Sequence, residues 1–165
     1  MDKYVYLIAQ LPALVFDKMS YMNIPVFLEE AGKWMTRRDL QKLQSVVLLD
    51  PVVEETHPKV IRRVQRFENR IRTDLAEWRQ AAKKRTEAKP ESFSVSILKE
   101  GNPLEVEKKL LHLRWQVIES MEPDHHFDLD FLMLYYLKLQ ILQKLSEYDK
   151  EKGMERFQKI SKVTE

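Results

Sequence analysis

Apolar residues recur at helical spacing along most of this chain. The longest unbroken run lies between Pro58 and Arg85. There Val60, Val64, Phe67, Ile71, Leu75 and Trp78 are separated by steps of four, three, four, four and three. At 100° per residue these six fall within about 80° of one another, which is one stripe of an α-helix. Lys59, Arg62, Arg66 and Arg70 lie on the opposite side, and Arg72, Arg79 and Lys83 on a flank. The segment therefore predicts a long helix with an apolar keel and a basic back.

The elements on either side follow from the same reading. Tyr4 to Leu11 permits a strand through Tyr4, Tyr6 and Ile8, or a helix through Val5, Ile8 and Ala9. Helix is preferred because no partner strand is apparent. Leu11-Pro12 ends it, since proline disfavours the α conformation in the residue before it. A loop covers Val15 to Asn23. Pro25 then suits a first helical turn, and Gly32 is a natural stop. Thr36 and Asp39 resemble a capping box that opens a helix through Leu40, Leu43, Val46 and Val47, broken at Asp50-Pro51. Thr56 or His57 caps the long helix, with Pro58 in its first turn. Thr86 to Pro103 has no sustained period and reads as a linker, within which Phe93, Val95 and Ile97 alternate as a short strand or as an extended segment laid over the core.

The second half opens with Asn102-Pro103 as cap and first-turn proline. Leu104, Leu111, Trp115 and Ile118 form its stripe, widened by Leu110, Val117 and Met121, and Pro123 stops it. Asp128 or Asp130 caps the next helix, about Leu129 to Ser146, which is apolar nearly all round and so belongs at the centre of the core. Each large side chain buried there contributes roughly 1.5–3 kcal/mol. Asp149 caps a last, weaker helix bearing Met154, Phe157 and Ile160. Trp34, Trp78, Trp115 and the Tyr135-Tyr136 pair sit among aliphatic residues as core. The fold class is all-α, a multi-helix bundle. Its two helical halves, 1–85 and 104–165, are joined by a linker at 86–103 and together make one compact domain.

Composition narrows this picture. Three glycines in 165 residues are too few for an all-β fold. The net charge is only +2, which gives no whole-protein nucleic-acid signature. Between Lys59 and Lys89, however, eleven Lys or Arg face four Asp or Glu. There is no cysteine, so disulfides and thiolate metal sites are excluded, which suits a reducing cytosol. YVYLIAQLPALVF has the length of a signal-peptide core. Its Tyr, Gln and Pro, and the want of a small-residue cleavage site after it, argue against export.

Three groups of residues offer chemistry. Asp124, His125, His126, Asp128 and Asp130 are of metal-ligand type. Adjacent histidines diverge, though, and helical zinc sites space them at i and i+4. The Asp-His-His run echoes a phosphoesterase signature whose other acidic motifs are missing. The expectation is no metal and no cofactor, with His125, His126, Asp124 and Asp128 as the ligands if a metal-dependent hydrolase were present. The second group is the basic back: Arg62, Arg66, Arg70 and Arg79 are the candidate partner contacts, for an acidic protein surface or for phosphates. Without a partner, that face would be solvated and paired in part to Glu68, Asp74 and Glu77. No aromatic is interleaved on it, which argues against single-strand binding. The third group, the tryptophans, reads as packing. No phosphate loop, nucleophile elbow or carboxylate cleft is apparent, so the expectation is a protein that is not an enzyme.

The opening YVYLIAQLPAL, followed by PVFLEEAGKWM, resembles a poorly characterised bacterial family encoded beside V/A-type ATP synthase subunits. RFENRIRTDLAEWRQAAKKR is similar to its middle and HFDLDFLMLYYLKLQILQKLSEYDKEKGMERF to its end. That family in turn resembles the C-type stalk component of the V/A-type ATP synthase, a socket of helical modules joining the rotor shaft to the membrane ring. This chain is about half that length. The resemblance implies a helical, non-catalytic component of the complex, with other ATP synthase subunits as partners. It also implies a cytoplasmic place, peripheral to the membrane through the complex. A helical nucleic-acid-binding module using the same arginines is the alternative.

Overall fold

The computed structural model describes residues 3–50, 52–99 and 101–163; within the last helix it excludes the side chains of 151, 152, 155, 156 and 163. Every regular element among the described residues is a helix. In order they are α1 (Val5–Gln10), α2 (Ile24–Trp34), α3 (Arg37–Gln44), α4 (Lys59–Lys84), α5 (Ser96–Lys99), α6 (Pro103–Met121), a 3-10 turn (Glu122–Asp124) and α7 (Leu129–Val163). Among the described residues, no helix is long and apolar enough to cross a membrane.

The helix starts follow local chemistry. Asn23 Oδ1 accepts from the Val26 amide at 3.0 Å, with Pro25 in the first turn of α2. Asn102 does the same for Glu105 at the start of α6. Thr36 Oγ1 accepts from the Asp39 amide at 3.2 Å, but the Asp39 carboxylate does not complete a capping box. It turns instead to Lys3 Nζ, at 2.8 Å, and to the Tyr4 hydroxyl. Asp128 Oδ1 accepts from the Phe131 amide at 2.8 Å and opens α7.

Several elements depart from the pattern. α2 runs through Gly32 to Trp34, because Gly32 keeps a negative φ and the Met35 amide still reaches Ala31 O. α3 ends at Gln44, short of Val46 and Val47. The stretch after it is held by a side chain instead: Gln140 of α7 donates to Val46 O and accepts from the Leu48 amide. Pro51, expected to break the chain there, lies outside the described residues. Pro58 is itself the N-cap of α4, which has no side-chain cap, while the His57 ring accepts a hydrogen bond from Gln65 Nε2. Residues 93–97 make no strand. Phe93 is buried in a non-helical stretch and Ser96–Lys99 closes a single helical turn. α7 is continuous where two helices were expected, and Asp149, instead of capping, pairs with Lys108 of α6 at 3.1 Å.

α7 packs against α2, α3, α4 and α6 and so forms the axis of the bundle. Leu132, Met133, Leu134, Leu137, Ile141 and Leu145 of α7 are buried together with Leu7, Phe27, Leu43, Ile61, Trp115 and Ile118. This main core therefore draws residues from both sides of the 86–103 segment. A second cluster of Ile71, Phe93 and Leu110 lies under that segment, where α4 meets α6. Among the tryptophans only Trp115 is core. Trp34 is 47% exposed and stacks on the exposed Tyr6, and Trp78 is half-buried beneath Lys99 Nζ.

Candidate interaction surface

The keel of α4 predicted from sequence is only part of its buried face. Gln65, Glu68 and Asp74 are buried along with Val60, Ile61, Ile71 and Ala81. On one flank of the keel, Glu68 accepts from Arg114 Nε at 2.7 Å and Arg114 Nη2 at 3.1 Å, a bidentate pair between α4 and α6. Arg72 Nε adds a third contact at 3.1 Å while its Nη2 donates to Leu49 O. On the other flank, Asp74 accepts from the amides of Glu91 and Ser92 and from the Ser92 hydroxyl. Burial alone would push the Asp74 carboxyl up. The Ser92 and Glu91 hydrogen bonds and the nearby Arg70 charge outweigh it and hold the group below its ordinary value. These two anchors set the rotation of α4 about its axis, because a buried carboxylate that loses its partners is strongly unfavourable.

With that rotation set, the basic back points outward. Lys59, Arg63, Arg66 and Arg70 are all exposed, at steps of four, three and four, so they form one line along the helix. None of the four makes an ion pair with a described residue; of Glu68, Asp74 and Glu77, expected to neutralise this face in part, the first two turn to buried partners and Glu77 is exposed. Arg62 does not belong to the line: it is half-buried and its Nε is hidden without a partner. Arg79 is exposed, but it lies on the flank with Arg72 and Lys83, away from Arg66 and Arg70. Thus two of the four arginines singled out from sequence stand together. Arg63, whose spacing from Lys59, Arg66 and Arg70 carried the signal, takes the place of Arg62.

The acidic-histidine segment is rearranged more strongly. His125, Asp128 and Asp130 bring one ligand atom each within 4.8 Å of the others. Asp124 and His126 are exposed and outside this group. His125 Nδ1 donates to Asp128 Oδ2 at 3.1 Å and lies 3.6 Å from Asp130 Oδ2. Burial, then the Asp128 charge, push the Asp130 carboxyl up, and His125 offsets this in part. Asp128 is already the cap of α7, and the Phe127 carbonyl beside it accepts from the Tyr4 amide at 3.1 Å. Each contact of the segment ties the start of α7 to α1 and the bend before it.

Sequence reasoning missed three other features. Arg114 is buried within the stripe of α6; its charge concealed that it faces inward. Lys138 is buried in α7, 2.6 Å from Glu122 and over the Trp115 ring at 4.7 Å. A groove of about 570 Å³ also lies between residues 17–25, the loop and the first turn of α2, and α7, with Met22, Ile24, Leu139 and Leu142 among its apolar lining.

A family model described as "Protein of unknown function (DUF2764)" matches residues 90–165, the part containing α5, α6 and α7. Neither the curated proteins nor the solved structures give a match.

Proposed function

We propose that this chain is a non-catalytic, protein-docking component of a V/A-type ATP synthase. It would work in the cytoplasm and reach the membrane only through that complex. The observation that carries the reading is the exposed line Lys59, Arg63, Arg66 and Arg70 on a helix whose rotation is held by buried carboxylates. Exposed cations that form no ion pair with a described residue suit an acidic protein surface, since charge complementarity steers encounter and sets register. The resemblance of the terminal segments to the family encoded beside ATP synthase subunits supports this choice of complex. The continuous α7, buried on several sides, would act as the rigid wall through which force is held or passed on, with no bond chemistry of its own.

The test is affinity capture of ATP synthase subunits from the same organism on the tagged full-length chain at low salt. Recovery of stalk subunits, lost as salt is raised, supports the reading; no recovery at low salt refutes it. A second reading, nucleic-acid binding through the same cations, draws on their even spacing. It requires log affinity to fall with log salt at about −0.9 per phosphate engaged, and a flat or undetectable response to duplex or single-stranded probes removes it.

A further inference from the structure

The final turns of α7 are unlike the rest of that helix. Every described side chain from Gly153 to Lys162 is exposed, including Met154 at 62% and Phe157 at 69%. Helical spacing places Gly153 and Phe157 on the face that carries Leu142, Ser146, Asp149 and Lys150 further back. Those four residues also line the groove beside residues 17–25. One face of α7 therefore runs from an apolar groove, across a charged pair, to an exposed phenyl ring.

That face reads alike from both ends. Set against its own copy in antiparallel fashion about a point between Asp149 and Lys150, it brings Asp149 opposite Lys150 of the other chain, twice over. Ser146 then meets Gly153 of the other copy, two small residues that let helices approach closely. Leu142 meets Phe157, which places each ring over the partner's groove, walled by Met22 and Ile24. Lys150 and Asp149 are both exposed, and the pairing of Asp149 with Lys108 leaves its carboxylate 60% open to a second donor. We infer that the chain forms a two-fold dimer through this face of α7, each Phe157 anchored in the other protomer's groove. An isologous contact requires such self-complementarity in both charge and shape, and an aromatic ring filling a pocket is the usual energetic anchor of an interface. The inference rests on α7 and residues 17–25 alone, not on the ATP synthase reading.

Sedimentation of the full chain over about a hundredfold range of concentration tests it. The expected result is a concentration-dependent dimer, with Phe157→Glu raising its dissociation constant about tenfold or more. Phe157 is exposed in the single chain, so the melting temperature of the variant under dilute conditions stays at the wild-type value. Lys150→Asp weakens the dimer and Asp149→Lys/Lys150→Asp restores it. Because the chain has no cysteine, Ser146→Cys mixed with Gly153→Cys should also cross-link on oxidation, whereas either variant alone should not. A monomer at every concentration overturns the inference and leaves the groove to a different protein's helix. A dimer indifferent to Phe157→Glu overturns it as well.

Discussion

Glu68 and Arg114 join α4 to α6 inside the protein, and their worth lies in what happens when one is removed. Arg114→Met strands a carboxylate that only Arg72, itself half open to solvent, still faces. Breaking a buried pair in this way costs about 3–5 kcal/mol, so urea unfolding should show a loss of that size. Glu68→Leu/Arg114→Met, which removes both charges, should recover most of it. Asp39 offers a test by pH. Hydrogen bonds from Lys3 and Tyr4 hold its carboxyl below the ordinary value of 3.8. The unfolded chain therefore takes up the proton first as pH falls. The stabilisation is complete above 3.8 and is lost as pH drops through the lower folded value. Asp74 contributes with the same sign. Asp130 contributes with the opposite sign, because its raised value makes ionisation at neutral pH unfavourable in the folded state. Asp39→Asn should flatten part of the acid limb of a stability-against-pH curve. An unchanged limb would show that the Lys3 and Tyr4 contacts do not persist in solution.

Helices are where sequence and structure agree best, and the reasons for disagreement are specific. α4, α6 and the core of α7 were legible because long amphipathic periods leave one way to bury a stripe. Thr36 and Asn102 were legible as caps, and Asp128 as one of two candidates, because short polar side chains there accept orphan amides; Asn23 caps α2 for the same reason, but the sequence reading left it at the end of a loop. Gly32 misled because glycine stops a helix only when the chain needs a positive φ, and here it does not. Arg85 ends α4 at φ 53° without a glycine at all. Asp149 misled for a similar reason: a cap residue inside a helix is merely an exposed carboxylate. The outward line on α4 was legible in part, since Arg66 and Arg70 were found. Arg62 and Arg63 are neighbours, and which one faces outward depended on the buried carboxylates that set the rotation. The histidine segment was least legible, because it is a bend whose geometry follows from contacts with α1. Gly153 gives a prediction at this scale. A Cβ there would meet nothing within 4 Å, so Gly153→Ala should stabilise the dilute chain by about 0.5–1 kcal/mol through helix propensity. Destabilisation would mean that the last turns of α7 are not helical in the isolated protein.

At the scale of the whole molecule, the main core passes through both sides of the 86–103 segment, while Asp74, Phe93 and Leu110 fasten that segment onto α4 and α6. The result is a bundle with its charge turned outward along α4 and its apolar helix, α7, inside for most of its length. The most direct test is calorimetric binding to reconstituted stalk subunits of the ATP synthase at low salt, comparing the wild-type chain with Arg63→Glu/Arg66→Glu. Both residues lie on the exposed face and neither pairs with a described residue, so the folded state should be unaffected, as the melting temperature will report. We expect measurable binding by the wild type and a loss of about tenfold or more in the variant. Equal affinity of the two proteins, or no binding by either, would contradict the docking role proposed for this face.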